Sequence, residues 1–443
     1  MNKRSFYLVS LGCAKNTVDS ESMASLLQMQ GYTPTDRQAQ AGILIVNTCG
    51  FIKPARDESI DVLRDLARTK KRGQTLIAAG CLTERYRQWV AEQVPGIDGI
   101  LGTRRWMDIV GVVQSLRGGS SYLVPQYHLP DESLPAIEPE GVMRAALQGT
   151  SAYLKIADGC RRPCAFCAIP LIKGTAVSRP VKVILDEARQ LRDMGIQELI
   201  LIAQDTTDYG SDLGMKDGLA QLLEQLTLTV PDLPWIRVMY AYPGFVTDRL
   251  IDVMASSHQI LPYLDIPLQH ADPEMLKRMR RPSDMDWVYR TLAKMRSAVP
   301  HLALRTTFIV GFPGETEVEF QSLLDFIQEI KFDHAGAFTY SMEQGTTAEP
   351  LGDPLPQEVK DERLERLMLA QQAISLAKNQ AFIGKTLDVL IEGMDQGISI
   401  GRSYRDAPEI DGMTIVEGEA PIGEIVSVKI TGAMAHDLTG QLA

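Results

Sequence analysis

The chain has 443 residues, 45% hydrophobic and 23% charged, with 45 basic against 56 acidic residues and a net charge of −11. That length is enough for about two to four domains with buried cores. The acidic balance argues against a surface built mainly for nucleic acid, which calls for clustered Lys and Arg, and no apolar stretch approaches membrane-spanning length.

From the amino terminus, short apolar runs at 6–10, 42–46 and 75–79 each lead into a cysteine, in Leu11-Gly12-Cys13, Asn47-Thr48-Cys49 and Gly80-Cys81. Helical stretches at 20–29, 54–68 and 83–93 follow them. Continuous apolar runs alternating with helices are the pattern of parallel strands buried on both faces. Residues 1–116 are therefore expected to form a Rossmann-like α/β domain. In such sheets ligands gather beyond the carboxyl ends of the strands. Cys13, Cys49 and Cys81 all occupy that position, so three thiolates far apart in sequence are expected to converge in space. Buried structural cysteines are the plain alternative. It has to explain why all three runs end on a cysteine with none left over elsewhere.

Residues 117–145 contain Gly118-Gly119-Ser120-Ser121 and prolines at 125, 130, 135 and 139. That composition reads as an irregular linker draped over the surface.

A second α/β pattern occupies 146–375. Strand-like runs at 152–157, 198–203, 235–240, 263–266, 303–310 and 334–340 are separated mostly by helical patterns at 183–194, 219–227, 247–255, 286–298 and 318–330. Six such units rather than eight predict a partial (β/α)6 barrel, with its chemistry on the loops at the strand carboxyl ends. The first run leads directly into Cys160-Arg161-Arg162-Pro163-Cys164-Ala165-Phe166-Cys167. Three thiolates at that spacing can hold three irons of a 4Fe–4S cluster and leave the fourth open to a substrate. A zinc knot is the alternative. It wants four ligands, and the nearest histidines in sequence are His128 and His258.

A charged stretch at 358–378, with Leu364, Leu367, Leu369 and Ala373 near helical spacing, reads as an amphipathic helix. Residues 378–443 are short Val-, Ile- and Thr-rich runs broken by Gly393, Gly397, Gly412, Gly418 and Gly423, the pattern of a small all-β barrel. Six cysteines at metal-like spacing, with no amino-terminal signal peptide, do not read as a disulfide framework. A reducing cytoplasm is the expected setting.

Taken together, these segments resemble the radical S-adenosylmethionine methylthiotransferase family along almost the whole chain. The resemblance rests on Ser10-Leu11-Gly12-Cys13, Asn47-Thr48-Cys49-Gly50-Phe51-Ile52, Gly80-Cys81-Leu82 and the Cys160 loop. It rests also on Leu264-Asp265-Ile266-Pro267-Leu268-Gln269-His270, Thr307-Phe308-Ile309-Val310-Gly311-Phe312-Pro313-Gly314-Glu315, and the terminal β domain of the TRAM type. Two branches of the family compete, one acting on a tRNA adenosine and one on an aspartate of a small-subunit ribosomal protein. The segment from Gly401-Arg402-Ser403-Tyr404-Arg405-Asp406 through Ala407-Pro408-Glu409-Ile410-Asp411-Gly412 resembles the ribosomal-protein branch. Charge agrees: residues 378–443 hold five basic and ten acidic residues, which would repel phosphate and suit a basic protein. Ala14 stands where that branch usually has proline, beside a ligand position but not at one.

The resemblance implies two 4Fe–4S clusters, one on Cys13, Cys49 and Cys81 and one on Cys160, Cys164 and Cys167, with S-adenosylmethionine as second cofactor. It implies a methylthio group added to the aspartate β-carbon, whose C–H bond is too weak an acid for ordinary proton abstraction and needs a cofactor-derived radical. An external electron donor is implied as well, and the sulfur comes either from a cluster or from a separate donor. Phe166, Gln204, Asp205, Gly311 and Glu315 are the candidates for contact with S-adenosylmethionine. His270 reads as a structural histidine, with lining of the pocket as the alternative, and Lys277-Arg278-Met279-Arg280-Arg281 as a solvated helix end, with contact to ribosomal RNA as the alternative.

Overall fold

Strands Ile43–Thr48 and Thr75–Gly80 are buried along their entire length, which is why their sequences carry apolar residues on both faces. The computed structural model describes residues 4–118, 125–129, 139 and 141–443. Its first sheet is wholly parallel, in the spatial order Thr33–Pro34, Ser5–Ser10, Ile43–Thr48, Thr75–Gly80, Gly99–Gly102 and Gln126–His128. The strand order reverses between Ser5–Ser10 and Ile43–Thr48, so this is the flavodoxin-type variant of the doubly wound fold, with its crevice at that switch point. Cys13 and Cys49 follow those two strands.

The helix after the first strand runs Ala14–Met29, six residues longer at its start than the apolar pattern indicates. Buried polar residues are the reason. Asn16 and Asp19, both buried, break the apolar periodicity while sitting inside the helix. The Asn16 amide donates to the carbonyls of Leu11, Asn47 and Thr48, pinning the Cys13 and Cys49 loops together.

The segment 117–145 is not only a linker. Gln126–His128 joins the first sheet beside Gly99–Gly102, and Ala145–Gln148 forms an antiparallel hairpin with Ser151–Lys155. Strands of three and four residues are too short to show a period. Residues 119–124, 130–138 and 140 lie outside the described residues.

The central sheet holds the parallel strands Ser151–Lys155, Glu198–Ile202, Trp235–Val238, Ile260–Asp265, Ala303–Val310 and His334–Thr339 in sequential order. It stays open, with His334–Thr339 at one edge and Ala145–Gln148 at the other, so the partial barrel is borne out. Helices Val181–Asp193, Gly218–Thr229, Asp248–Ser256, Met285–Ala298 and Glu317–Ile330 lie between the strands. A further short helix, Pro273–Arg278, is capped by Asp272, which accepts the Glu274 and Met275 amides.

All three parts of the chain fill the concave side of this sheet. Tyr153, Ile200, Ile202, Met239 and Tyr263 from the barrel pack with Ala14 and Val18 from the first domain and with Leu390 and Ala407 from the last. The connecting helix Gln357–Gln380 buries Leu367 and Ile374 but also Lys360, Arg363, Gln371 and Ser375. Leu369 points outward, 57% exposed, so the amphipathic face is not the leucine row that the spacing picks out. Gln371 and Ser375 can be buried because they donate to the Phe332 and Asp333 carbonyls.

The last domain is a closed five-stranded barrel, in the order Thr386–Asp395, Ile398–Ser403, Thr414–Glu417, Leu438–Leu442 and Ile425–Ala433. Its Arg402 reaches out of the barrel to Glu198 of the central sheet at 2.7 Å. Among the described residues no helix is long and apolar enough to cross a membrane.

Candidate active site

Glycines let the three strand-end loops of the first domain close on one another. Gly12 has φ +95°, and a side chain there would place Cβ 2.8 Å from Cys49 Cβ. At Gly50 the same atom would lie 2.6 Å from Leu82 Cα, next to Cys81. Only glycine permits such an approach with a left-handed backbone at Gly12. Cys13, Cys49 and Cys81 thereby meet as expected.

The second trio sits in a loop folded against the barrel mouth. The Cys160 amide donates to Gly174 O at 3.0 Å and the Ala165 amide to Met279 O at 2.8 Å. Each sulfur receives a donor: the Arg162 amide on Cys160 Sγ at 3.4 Å, the Ile169 amide on Cys167 Sγ at 3.5 Å and Arg281 Nη1 on Cys164 Sγ at 3.4 Å. All six cysteines line a single cavity of about 330 Å³.

The donor chemistry fits iron–sulfur clusters better than a single ion. Each trio offers three thiolates, and among the described residues the cavity lining holds no histidine or carboxylate, whereas a structural zinc takes four ligands. A cubane instead takes one thiolate on each of three separate irons, and so asks for sulfurs standing farther apart. Burial pushes the Cys81 and Cys167 thiols up to about 12 and Cys160 up to about 11. Buried thiols of this kind ionise only when a cation is supplied, and coordinated metal is that cation.

Three cationic side chains line the same cavity. Arg162 pairs with Asp205 at 2.6 Å and lies over the Phe245 ring at 3.6 Å. Arg281 also donates to Pro267 O and lies over the Tyr242 ring at 4.2 Å. Lys15 stands 3.0 Å above the Tyr240 ring centre. Burial pulls the Lys15 ammonium below its ordinary value, against the opposing pull of Cys13, Asp265 and Asp158. Tyr240 and Gln269, both on the cavity wall, have left-handed backbones at φ +62° and +76°. Strain of this kind persists where the surroundings enforce it, typically at functional sites.

Behind the cavity, a buried charge network joins the two cysteine-bearing domains. Asp19 accepts Lys155 Nζ and Lys173 Nζ, both at 2.7 Å, and Arg144 Nη2 as well. Burial alone would raise the Asp19 carboxyl, but Lys155, Lys173 and Arg144 outweigh it and hold the group well below the carboxylate range. A second joint forms where Glu343, in the loop after the last barrel strand, pairs with Arg56 and with Arg85. Arg85 also donates to Gly50 O at 3.1 Å, one residue from Cys49.

Of the other expected site residues, Phe166 and Gln204 line the cavity. Gln204 Nε2 donates to Asp158 at 3.0 Å, and its buried Oε1 has no protein partner among the described residues. Asp205 stands behind Arg162. Gly311 and Glu315 lie outside the lining. Gly311 packs on Lys360, while Glu315 accepts the Gly311 amide, Arg363 and His270. His270 is fully buried between Glu315 and the Asp272 amide, in keeping with a structural histidine. Sequence reasoning missed Lys15, Arg162, Tyr240 and Tyr242, and it placed Arg281 on a solvated helix end. The available signal was adjacency to cysteine for Lys15 and Arg162. For Arg281 there was none, because only the fold brings it to Cys164.

An open parallel barrel, with a three-cysteine loop after its first strand, defines a radical S-adenosylmethionine enzyme. The profile of the radical SAM superfamily matches residues 154–327, that of Uncharacterized protein family UPF0004 residues 5–102 and that of the TRAM domain residues 383–442. In solved structures the chain is similar to the radical S-adenosylmethionine methyltransferase TsrM from Kitasatospora setae. The TM-score is 0.58 at 14% identity, covering 78% of this chain and 74% of that one, a likeness of fold. Curated relatives are much nearer. The ribosomal protein uS12 methylthiotransferase RimO of Roseiflexus sp. (strain RS-1) is 46% identical, covering 99% of this chain and 97% of its own. The RimO of Chloroflexus aurantiacus is 47% identical, covering 98% and 99%. The chain belongs to the ribosomal protein uS12 methylthiotransferase RimO family.

Proposed function

We propose that this chain transfers a methylthio group to the β-carbon of an aspartate in ribosomal protein uS12. The observation that carries the reading is the opening of both cysteine trios, contributed by different domains, onto one cavity. In this reading Cys160, Cys164 and Cys167 hold one 4Fe–4S cluster, and Cys13, Cys49 and Cys81 hold a second. When bound, these clusters and S-adenosylmethionine supply a hydrogen-abstracting radical, a sulfur source and a methyl group.

The protein's own part is to hold, orient and exclude water. Gln204 Oε1 is a free acceptor suited to the ammonium of the cofactor's methionine portion, and Phe166 offers a flat apolar wall. Asp205 acts one step back, by fixing the Arg162 guanidinium. Gly311 and Glu315 hold the loop after the fifth barrel strand against the connecting helix through Lys360 and Arg363.

The last domain favours a basic protein substrate over tRNA. Two of its arginines, Arg402 and Arg405, are buried. Its exposed charges are Lys385 and Lys429 against Asp388, Glu392, Asp395, Glu409, Glu417, Glu419 and Glu424. Such a surface repels phosphate and attracts a cationic partner. An external donor supplies the electron. The test is anaerobic incubation of the reconstituted enzyme with uS12 and, separately, with tRNA, followed by mass spectrometry. A methylthio increment on uS12 is expected, and an increment on tRNA alone overturns the proposal.

A further inference from the structure

Three cations line the cavity, and two of them are already engaged. Arg162 is tied to Asp205, while Arg281 is tied to Cys164 Sγ and Pro267 O. Lys15 differs. Among the described residues its Nζ lies over the Tyr240 ring and forms no ion pair with a carboxylate. The two acids nearest in charge to it have partners of their own: Asp265 binds Arg305 at 3.0 Å, and Asp158 binds Lys155 at 3.0 Å.

An aspartate entering this cavity brings a carboxylate into a space walled by six sulfurs and aromatic rings. Burying that charge without a partner is strongly unfavourable, and ionised sulfur nearby repels it. A cation with spare donors is what such a ligand needs. An ammonium has three donors and no fixed plane, so one held over a ring face keeps its N–H groups available to a ligand. The Tyr240 contact positions the amine without neutralising it.

We infer that Lys15 receives the side-chain carboxylate of the acceptor aspartate and so fixes which carbon faces the two cysteine trios. The inference rests on the aspartate reading above. It makes Lys15 the specificity-determining residue for an acidic over an amide side chain, since the asparagine counterpart would leave the ammonium unpaired.

The test is a binding cycle on the anaerobically reconstituted full-length enzyme, with uS12 and with uS12 carrying asparagine at the acceptor position. The wild type is expected to bind the aspartate form at least about tenfold more tightly, Lys15→Gln to bind both equally, and Lys15→Arg to keep part of the preference. Iron content is measured on each variant. Equal affinity of the wild type for the two substrates overturns the inference whatever the variants do. So does a preference retained in iron-replete Lys15→Gln. A wild type that methylthiolates uS12 without discriminating aspartate from asparagine in binding removes only the role of Lys15. One that never modifies uS12 removes the underlying reading.

Discussion

Asp19 and Lys173 meet at 2.7 Å across the seam between the two cysteine-bearing domains. Asp19 lies in the second turn of the helix that begins after Cys13, and Lys173 ends the helix that begins after Cys167. A single ion pair therefore links the backbones that carry one cysteine of each trio. Burial alone would lower the Lys173 ammonium, but Asp158 and Asp19 hold it above its usual value. Replacing Asp19 by Asn removes the carboxylate that Lys155, Lys173 and Arg144 share, and among the described residues leaves Asp158 to serve both lysines. The expected loss is about 3–5 kcal/mol of stability, read by chemical denaturation of the cluster-free chain. A loss below about 1 kcal/mol would show that the seam does not depend on this network.

Gly12→Ala is expected to act on one trio alone. Its Cβ would press on Cys49 from a backbone angle that alanine disfavours. Iron should fall from about eight to about four per chain, with cleavage of S-adenosylmethionine to 5′-deoxyadenosine largely kept and methylthiolation lost. Cys49→Ala should behave in the same way, whereas Cys164→Ala should abolish cleavage. Equal loss of cleavage in all three would contradict the division of labour.

Arg281 should set the ease of reduction at the Cys160 loop. A guanidinium donating to a ligand sulfur stabilises the more negative, reduced state. Removing it in Arg281→Met, with Tyr242 left in place, is expected to lower the midpoint by roughly 50–100 mV, about 1–2 kcal/mol for one electron. Arg281→Lys should recover part of the shift. The measurement is an EPR-monitored redox titration in a Cys49→Ala background, where a single cluster is read. An unchanged midpoint in Arg281→Met would remove this role.

Acid should loosen the last domain through Glu198. Burial would raise its carboxyl, but Arg237 and Arg402 outweigh that and bring it from 4.5 down to about 2. The unfolded chain then binds the proton before the folded one does. The stabilisation is fully present above pH 4.5 and is lost as pH falls towards 2, about 3 kcal/mol in all. Thermal unfolding of the cluster-free chain should show that slope in the wild type and a flatter one in Glu198→Gln, which should also be less stable at neutral pH.

Much of this architecture is visible in the linear chain because most barrel strands are short runs rich in apolar residues and each ends at a polar loop. The runs at 198–203 and 303–310 lie within a residue of the observed strands for that reason. The three strand-end cysteines were legible from position alone. What escaped was polar and buried. Asn16 and Asp19 disguised the start of their helix, and the short strand Gln126–His128 passed for linker. Arg281 looked like part of a solvated charge run, because nothing local records that Cys164 will stand beside it.

Ala14 and Ala407 press into the same concave sheet from opposite ends of the chain, so neither flanking domain can swing away without baring apolar surface to water. The enzyme is thus a socket rather than a jaw. A cavity lined by two of the packed domains is shaped by folding itself, ahead of any client.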